Sequence, residues 1–271
     1  MENTSNKDTP IVRLRAFRAI DDPRACELFL EGHAQVLSSI GITKVTSSKN
    51  EWVENPAAFV LIVESLDKQR VYGGARVHVS GGSQPLPIEQ ATASFDKSIY
   101  DLVWRYAQYG SGEICGLWNS RDLAGYGIGT ILLIRAGVAL AYQIGLKSLF
   151  ALCAPYTVKP VEGIGMELEP SVGKDGTFYY PKQDLIATAM ILKDLETLSK
   201  AAEEERNAIF AMRENLNTVK TETLRNKDIT IHYEIEVPNL DKWNLGEVIA
   251  DAERLYYSAK PQAPYPEFRF S

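Results

Sequence analysis

Apolar residues alternate with polar ones near both ends of the chain and run together in its middle, and that contrast predicts the elements. Ile11 to Phe17 sets apolar positions between Arg13 and Arg15, the alternation of a half-buried strand. Asp21-Asp22-Pro23 supplies a cap and a first-turn proline. Leu28, Phe29, Ala34, Val36 and Leu37 then carry a helix that ends near Gly41. Residues 43–57 are polar and turn-rich, with Trp52 as an anchor. Ala58 to Ser65 and Arg70 to Ser80 are apolar runs joined by Leu66-Asp67-Lys68-Gln69, which reads as a hairpin. Within it, Gly73-Gly74 marks a bulge or a close backbone approach. A loop containing Pro85 and Pro87 precedes helical spacing in Ile99, Leu102, Val103 and Tyr106.

From Gly112 to Ala154 the chain reads strand, glycine loop, helix, strand. The strand holds Glu113-Ile114-Cys115-Gly116-Leu117-Trp118, and the loop is Gly125-Tyr126-Gly127-Ile128-Gly129-Thr130. The helix runs from Ile131 to Tyr142 and closes at Gly145, and Lys147 to Ala154 is the next strand. A short helix follows around Val158 to Met166, then strands at Phe178-Tyr179-Tyr180 and Leu185 to Leu192. Glu196 to Leu216 has the pattern of a charged amphipathic helix. Ile229, Ile231, Tyr233, Ile235 and Val237 alternate with Thr230, His232, Glu234 and Glu236, a strand with one apolar face. A last helix, Leu245 to Ala259, turns Val248, Ile249, Ala252 and Leu255 inward, and the proline-rich tail beyond it is expected to wrap the surface.

Composition narrows the functional classes. A chain of 271 residues with a formal net charge of -6 and no run of basic residues is a poor partner for nucleic acid. Its three cysteines (Cys26, Cys115, Cys153) are far apart and its three histidines (His33, His78, His232) scattered, which fits reduced thiols and no metal site. Residues 1–10 are polar, lack the apolar segment of a signal peptide, and are expected to be disordered. The most apolar run, Ile128 to Tyr142, falls short of the ~20 residues a membrane span needs and contains Arg135. The expected location is cytoplasmic, with no membrane span.

Candidate chemistry gathers at the glycine loop. Three glycines on alternate positions allow a tight turn and leave N–H groups free at the positive end of the following helix. Such donors seat an anion such as a pyrophosphate; a glycine-rich turn that only packs helix on strand is the other reading. No Lys-Ser or Lys-Thr follows, so this is not a Walker loop, and G-x-G-x-G is not the dinucleotide fingerprint. The order of elements and this loop resemble the GNAT superfamily of N-acyltransferases over roughly residues 11–192. The resemblance implies an α/β (α+β) fold with a mixed, mostly antiparallel central sheet flanked by helices. Residues 11–195 would be the acyltransferase core, and 196–271 a C-terminal α/β extension of helix, strand and helix packed on it. Three uses are open to that extension: completing the sheet, covering the acceptor cleft, or making a homodimer. In GNAT proteins the loop pattern is Q/R-x-x-G-x-G/A; aligned on Gly127 and Gly129, its first position falls on Ala124, a departure, with Arg121 close by.

The resemblance also implies the ligands. Acetyl-CoA or another acyl-CoA would lie with its diphosphate on Gly125, Tyr126, Gly127, Ile128, Gly129 and Thr130. Its pantetheine would lie along the open edges Cys115 to Trp118 and Leu152 to Ala154, with an N–H near Leu117 receiving the thioester oxygen. A narrower likeness is to acyl-homoserine-lactone synthases and N-acyl amino acid synthases. Arg76 and Glu113 match their pattern, whereas Cys115 and Gly116 replace a Ser-Arg pair. That likeness makes acyl carrier protein the alternative donor, with phosphopantetheine in the cleft. The acceptor would be a small-molecule amine or amino acid. Glu113 is the candidate general base, Tyr156 the candidate acid for the leaving thiolate, and Arg76 the candidate partner of an acceptor carboxylate. Each is also readable as an ordinary surface or packing residue; Cys153 reads as core, His33 as a surface or core-edge residue and His78 as an exposed strand residue. Val161 stands where many GNAT members carry a tyrosine acid, which leaves room for a third reading, a GNAT-shaped binding module without catalysis.

Overall fold

The computed structural model describes residues 9–42, 50–126, 128–224 and 226–259. The sequence expectations for the first eight residues, for residues 43–49, for Gly127 and for the tail beyond Ala259 lie outside them. The chain opens with strand β1 (Ile11–Arg18) and helix α1 (Pro23–Ser39). Asp22 caps that helix, its carboxylate accepting from the Ala25 N–H at 3.0 Å. Strands β2 (Ala58–Glu64) and β3 (Val71–Val79) form the hairpin, and α2 (Pro87–Thr92) and α3 (Ser98–Ala107) follow it. Next come β4 (Ser111–Asn119), α4 (Arg121–Gly125), α5 (Thr130–Gln143) and β5 (Ser148–Cys153). The chain continues with α6 (Pro155–Gly163), β6 (Glu167–Leu168), β7 (Thr177–Tyr179) and β8 (Ile186–Leu192). It closes with α7 (Glu203–Glu214), β9 (Asn217–Leu224), β10 (Lys227–Glu234) and α8 (Leu245–Ala259).

Among the described residues one sheet forms in the order β6-β8-β5-β4-β3-β2-β1-β10-β9, with β7 also on β8. Only the β4–β5 and β1–β10 pairs are parallel. The sheet is thus mixed and mostly antiparallel, flanked by helices on both faces. β2 lies in its interior between β3 and β1, every residue from Ala58 to Glu64 buried, which explains its unbroken apolar run. On one face, Phe29 of α1 joins Phe17, Trp52, Val60, Ile62 and Trp118. On the other, α5 is buried over most of its surface between the sheet and α7. Gly137 brings α5 close to β4, since a Cβ there would lie 2.4 Å from Ile114 Cδ1.

The structure departs from the pattern reading in several places. The helix expected from Glu196 begins only at Glu203, because the Asp194 carboxylate gathers the Thr197 and Ser199 N–H groups (2.9 and 3.1 Å) into a turn. The C-terminal section holds two strands where one was expected. Its alternating strand is β10, paired in parallel with β1, and β9, polar on both faces, lies outside it at the sheet edge. α2, α4 and the two-residue strand β6 are among the other additions, each too short to show a periodicity. No helix among the described residues is long and apolar enough to cross a membrane.

Candidate active site

The site begins where two parallel strands separate. β4 and β5 pair over Ser111↔Ser148, Gly112↔Leu149 and Glu113↔Phe150, and there the ladder ends. The hydroxyls of Ser111 and Ser148 bond at 2.9 Å just before the fork. Past it β5 stays on β8, Cys153 opposite Thr188, while β4 stays on β3. A bulge turns β4 away: Cys115 pairs with Arg76 and Trp118 with Gly74, which leaves Gly116 and Leu117 opposite Ala75 alone. Gly116 takes φ +58, a left-handed conformation in which glycine is unstrained.

The fork holds a cavity of about 180 Å³. Cys115, Gly116 and Leu117 line one wall and Ala151, Leu152 and Cys153 the other. Leu37 and His33 reach in from α1, and Tyr156, Thr157 and Val161 come from α6. Opposed strand edges of this kind offer backbone N–H and C=O groups to an extended ligand, as a sheet edge does to an added strand. His33 stacks on Trp118 (6.5 Å between ring centres), and burial pushes its pKa down to about 4, so it is neutral at pH 7. Burial pushes the Cys153 thiol up to about 11, which keeps it protonated and a poor nucleophile.

The glycine loop divides into two parts. Gly125 ends α4 and Tyr126 is its C-terminal cap, while Ser120 caps the start by accepting from the Leu123 N–H at 3.2 Å. The Tyr126 N–H is taken up by the Asp122 and Leu123 carbonyls (3.2 and 3.1 Å), and the Gly125 carbonyl accepts from Lys227 Nζ. Gly125 and Tyr126 border a separate cavity of about 750 Å³ with Arg121, Asp122, Lys227 and Asp228. Ile128, Gly129 and Thr130 form the entry to α5, with Gly129 as a cap that has no side chain to offer. In the first turn of α5 the Leu132 N–H is taken by the Gly129 carbonyl at 3.3 Å, while the N–H groups of Thr130 and Ile131 have no carbonyl one turn back within the helix and sit at its positive end.

The candidate proton carriers lie deeper. Glu113 is buried, and its carboxylate accepts from the Ile88 N–H at 2.6 Å at the start of α2. Burial pushes its pKa up to about 8; the Ile88 hydrogen bond opposes this, the Glu89 charge adds to it, and Arg76 opposes it. Glu89 is buried beside it, pushed up to about 7 by burial while it accepts from the Leu86 N–H at 2.7 Å. Arg76 is wholly buried, its guanidinium 4.2 Å above the Trp52 ring and 5.6 Å from that of Phe29. Tyr156, by contrast, is 74% exposed at the cleft mouth. The Trp118 ring packs against α1 on the far side, under Gly32, where a Cβ would lie 2.2 Å from it.

Of the residues named from sequence, Cys115, Leu117 and Tyr156 meet at the fork. The Glu113 and Arg76 side chains lie beneath the α2 face, and the Trp118 ring under α1. Leu37 and Thr157 were not anticipated; the nearest signal was the helical periodicity of α1, which gives its buried face but not what that face meets. Among the described residues no group of His, Cys, Asp and Glu is placed to hold a metal ion.

No protein-family model and no curated protein matches the chain. Solved structures do. FeeM, an N-acyl amino acid synthase from uncultured soil microbes, aligns over 71% of this chain and 96% of its own, at 16% identity and a TM-score of 0.53. The CoA-dependent acyl-homoserine lactone synthase BjaI aligns over 75% and 90%, at 12% and 0.47. An acetyltransferase of the GNAT family from Staphylococcus aureus aligns over 68% and 99%, at 7% and 0.43. The fold is similar to that of FeeM. At these identities the likeness is one of fold.

Proposed function

We propose that this protein is an acyltransferase that moves an acyl group from a pantetheine thioester, in the first place an acyl-CoA, to a small amine. The observation that carries the reading is the fork: β4 and β5 part beyond Glu113 and Phe150 and leave a cleft between their edges. Pantetheine, an extended chain with two amides, suits such edges, and the start of α5 suits a diphosphate. In the reaction the amine nitrogen attacks the thioester carbon, the C–N bond forms, the C–S bond breaks, and a proton passes from nitrogen to the leaving sulfur. Cys153, protonated and buried, gives no support to an acyl-enzyme, so direct attack is preferred.

Glu113 would accept the amine proton through a water at the cleft floor, its raised pKa suiting a base that works near neutrality. Tyr156 would return a proton to the thiolate from the cleft mouth. Arg76 would act from below, holding the bulge that opens the fork. The fold likeness to FeeM favours an amino acid as acceptor. An acyl carrier protein as donor is the second reading, and both fall under one experiment. Purified protein is screened by thermal shift against acetyl-CoA, longer acyl-CoAs and acyl carrier protein, then assayed for thiol release with a panel of amines. A shift and amine-dependent thiol release support the enzyme. A shift without turnover supports a binding module, and no shift with any pantetheine thioester overturns the proposal.

A further inference from the structure

The outer edge of β9 has a self-complementary charge pattern. β9 is the last strand of the sheet, and Asn217, Val219, Lys220, Thr221 and Thr223 are exposed along it. It carries no proline, and it pairs in register with β10 from Asn217↔Glu234 to Leu224↔Lys227. The Thr230 N–H bonds to the Pro10 carbonyl, so the backbone of Thr230 faces β1, and that of Ile229 and Ile231 faces β9. Their partners Glu222 and Lys220 therefore spend their backbone groups on β10. Val219, Thr221 and Thr223 point theirs outward, and among the described residues no strand takes them.

We infer that β9 pairs antiparallel with β9 of a second copy about a two-fold axis at Thr221, joining two sheets into one. In that register Thr221 meets its own counterpart as a hydrogen-bonded pair, and Val219 meets Thr223 likewise. Lys220 then stands opposite Glu222 of the second copy, twice over by symmetry. These are non-hydrogen-bonded positions, where side chains approach most closely. Centring the axis on Lys220 or Glu222 sets like charges opposite, and centring it on Val219 sets Lys220 against Thr218. The register at Thr221 is thus the one that the charges select. Glu222 already accepts from the Tyr233 hydroxyl through Oε1, which fixes the carboxylate and leaves Oε2 for the lysine. The edge carries one exposed valine among threonines and charges, so a matching strand suits it better than an apolar partner.

The test uses the whole protein in sedimentation-velocity and light-scattering runs over a range of concentrations. Wild type is expected to be a dimer. Lys220→Glu alone and Glu222→Lys alone each place four like charges across the axis, and each should weaken the dimer at least about tenfold. Mixing the two variants in equal amounts should restore it, because each then meets its opposite. Circular dichroism checks that each variant is folded, and Thr221→Pro, which removes an outward N–H, is a second route to the monomer. A wild-type monomer at every concentration overturns the inference, as does a dimer that Lys220→Glu leaves intact or a mixture that stays monomeric. Acyl-CoA binding is measured separately, so this inference stands or falls apart from the catalytic reading.

Discussion

Arg76 occupies the space that a side chain at Gly116 would need: a Cβ there would lie 2.9 Å from both Nε and Nη2 of the arginine. The two residues sit on neighbouring strands at the point where β4 bulges. A buried guanidinium held over Trp52 on one strand and a left-handed glycine on the next together set the angle at which β4 leaves β5.

Gly116→Ala is therefore expected to destabilise the protein by about 1–3 kcal/mol, through the left-handed backbone and the crowding of Arg76. It should also weaken binding of pantetheine thioesters. Urea unfolding and ligand-induced thermal shift measure the two effects. Wild-type stability in the variant would show that the bulge does not depend on this pair.

The buried acids give the stability a pH slope of defined sign. Glu113 is raised to about 8 and Glu89 to about 7 from ordinary carboxylate values near 4.5. Between those limits the folded state holds protons that the unfolded state has released, so the contribution of these two groups to stability is fullest below about pH 4.5 and falls as pH rises toward 8. Each group contributes a slope of at most about 1.4 kcal/mol per pH unit. Glu113→Gln should flatten the fall between about pH 5 and 8 in a pH series of urea unfolding. An equal slope in the variant would place the titration elsewhere.

Much of the fold was legible in the sequence, and the reasons can be given residue by residue. Ile229 to Val237 alternates because one face of β10 is buried and the other is not, so the pattern could be read directly. The apolar run at Ala58 to Ser65 showed a strand because β2 is buried on both faces. β9 could not be read: at the sheet edge its residues meet the core weakly, and Asn217-Thr218-Val219-Lys220 carries almost no apolar contrast. The fork itself leaves one local trace, Gly116, which a strand pattern gives no reason to single out. Gly125 and Tyr126 look continuous with Gly129 in sequence, but Ser120 caps a turn that draws them into α4. Glu113 could be placed on its strand, but the Ile88 N–H that holds its carboxylate comes from α2, a helix too short to be seen.

Tyr156 is exposed, so Tyr156→Phe should leave the melting temperature within about 1 °C, as surface changes usually do. If its hydroxyl protonates the thiolate, kcat should fall by about 100-fold or more with KM for the thioester little changed. Steady-state kinetics with a single amine measures this. An unchanged kcat would remove Tyr156 from the chemistry.

Lys227 ties β10 to the Gly125 carbonyl at the end of α4. Lys227→Ala is expected to raise the Kd for coenzyme A about threefold to tenfold, about 0.7–1.4 kcal/mol, the scale of one hydrogen bond. Calorimetric titration reads it directly. Affinity equal to that of wild type would separate the tie from the anion seat.

The central claim is that the fork and the start of α5 receive a single pantetheine-diphosphate ligand. Two-dimensional amide NMR of the labelled protein titrated with coenzyme A tests it most directly. The expected result is saturable movement of the Gly129, Thr130 and Ile131 amides together with those of Cys115, Gly116 and Leu117, all at one dissociation constant. Amides at both places that stay fixed at millimolar coenzyme A would contradict the account.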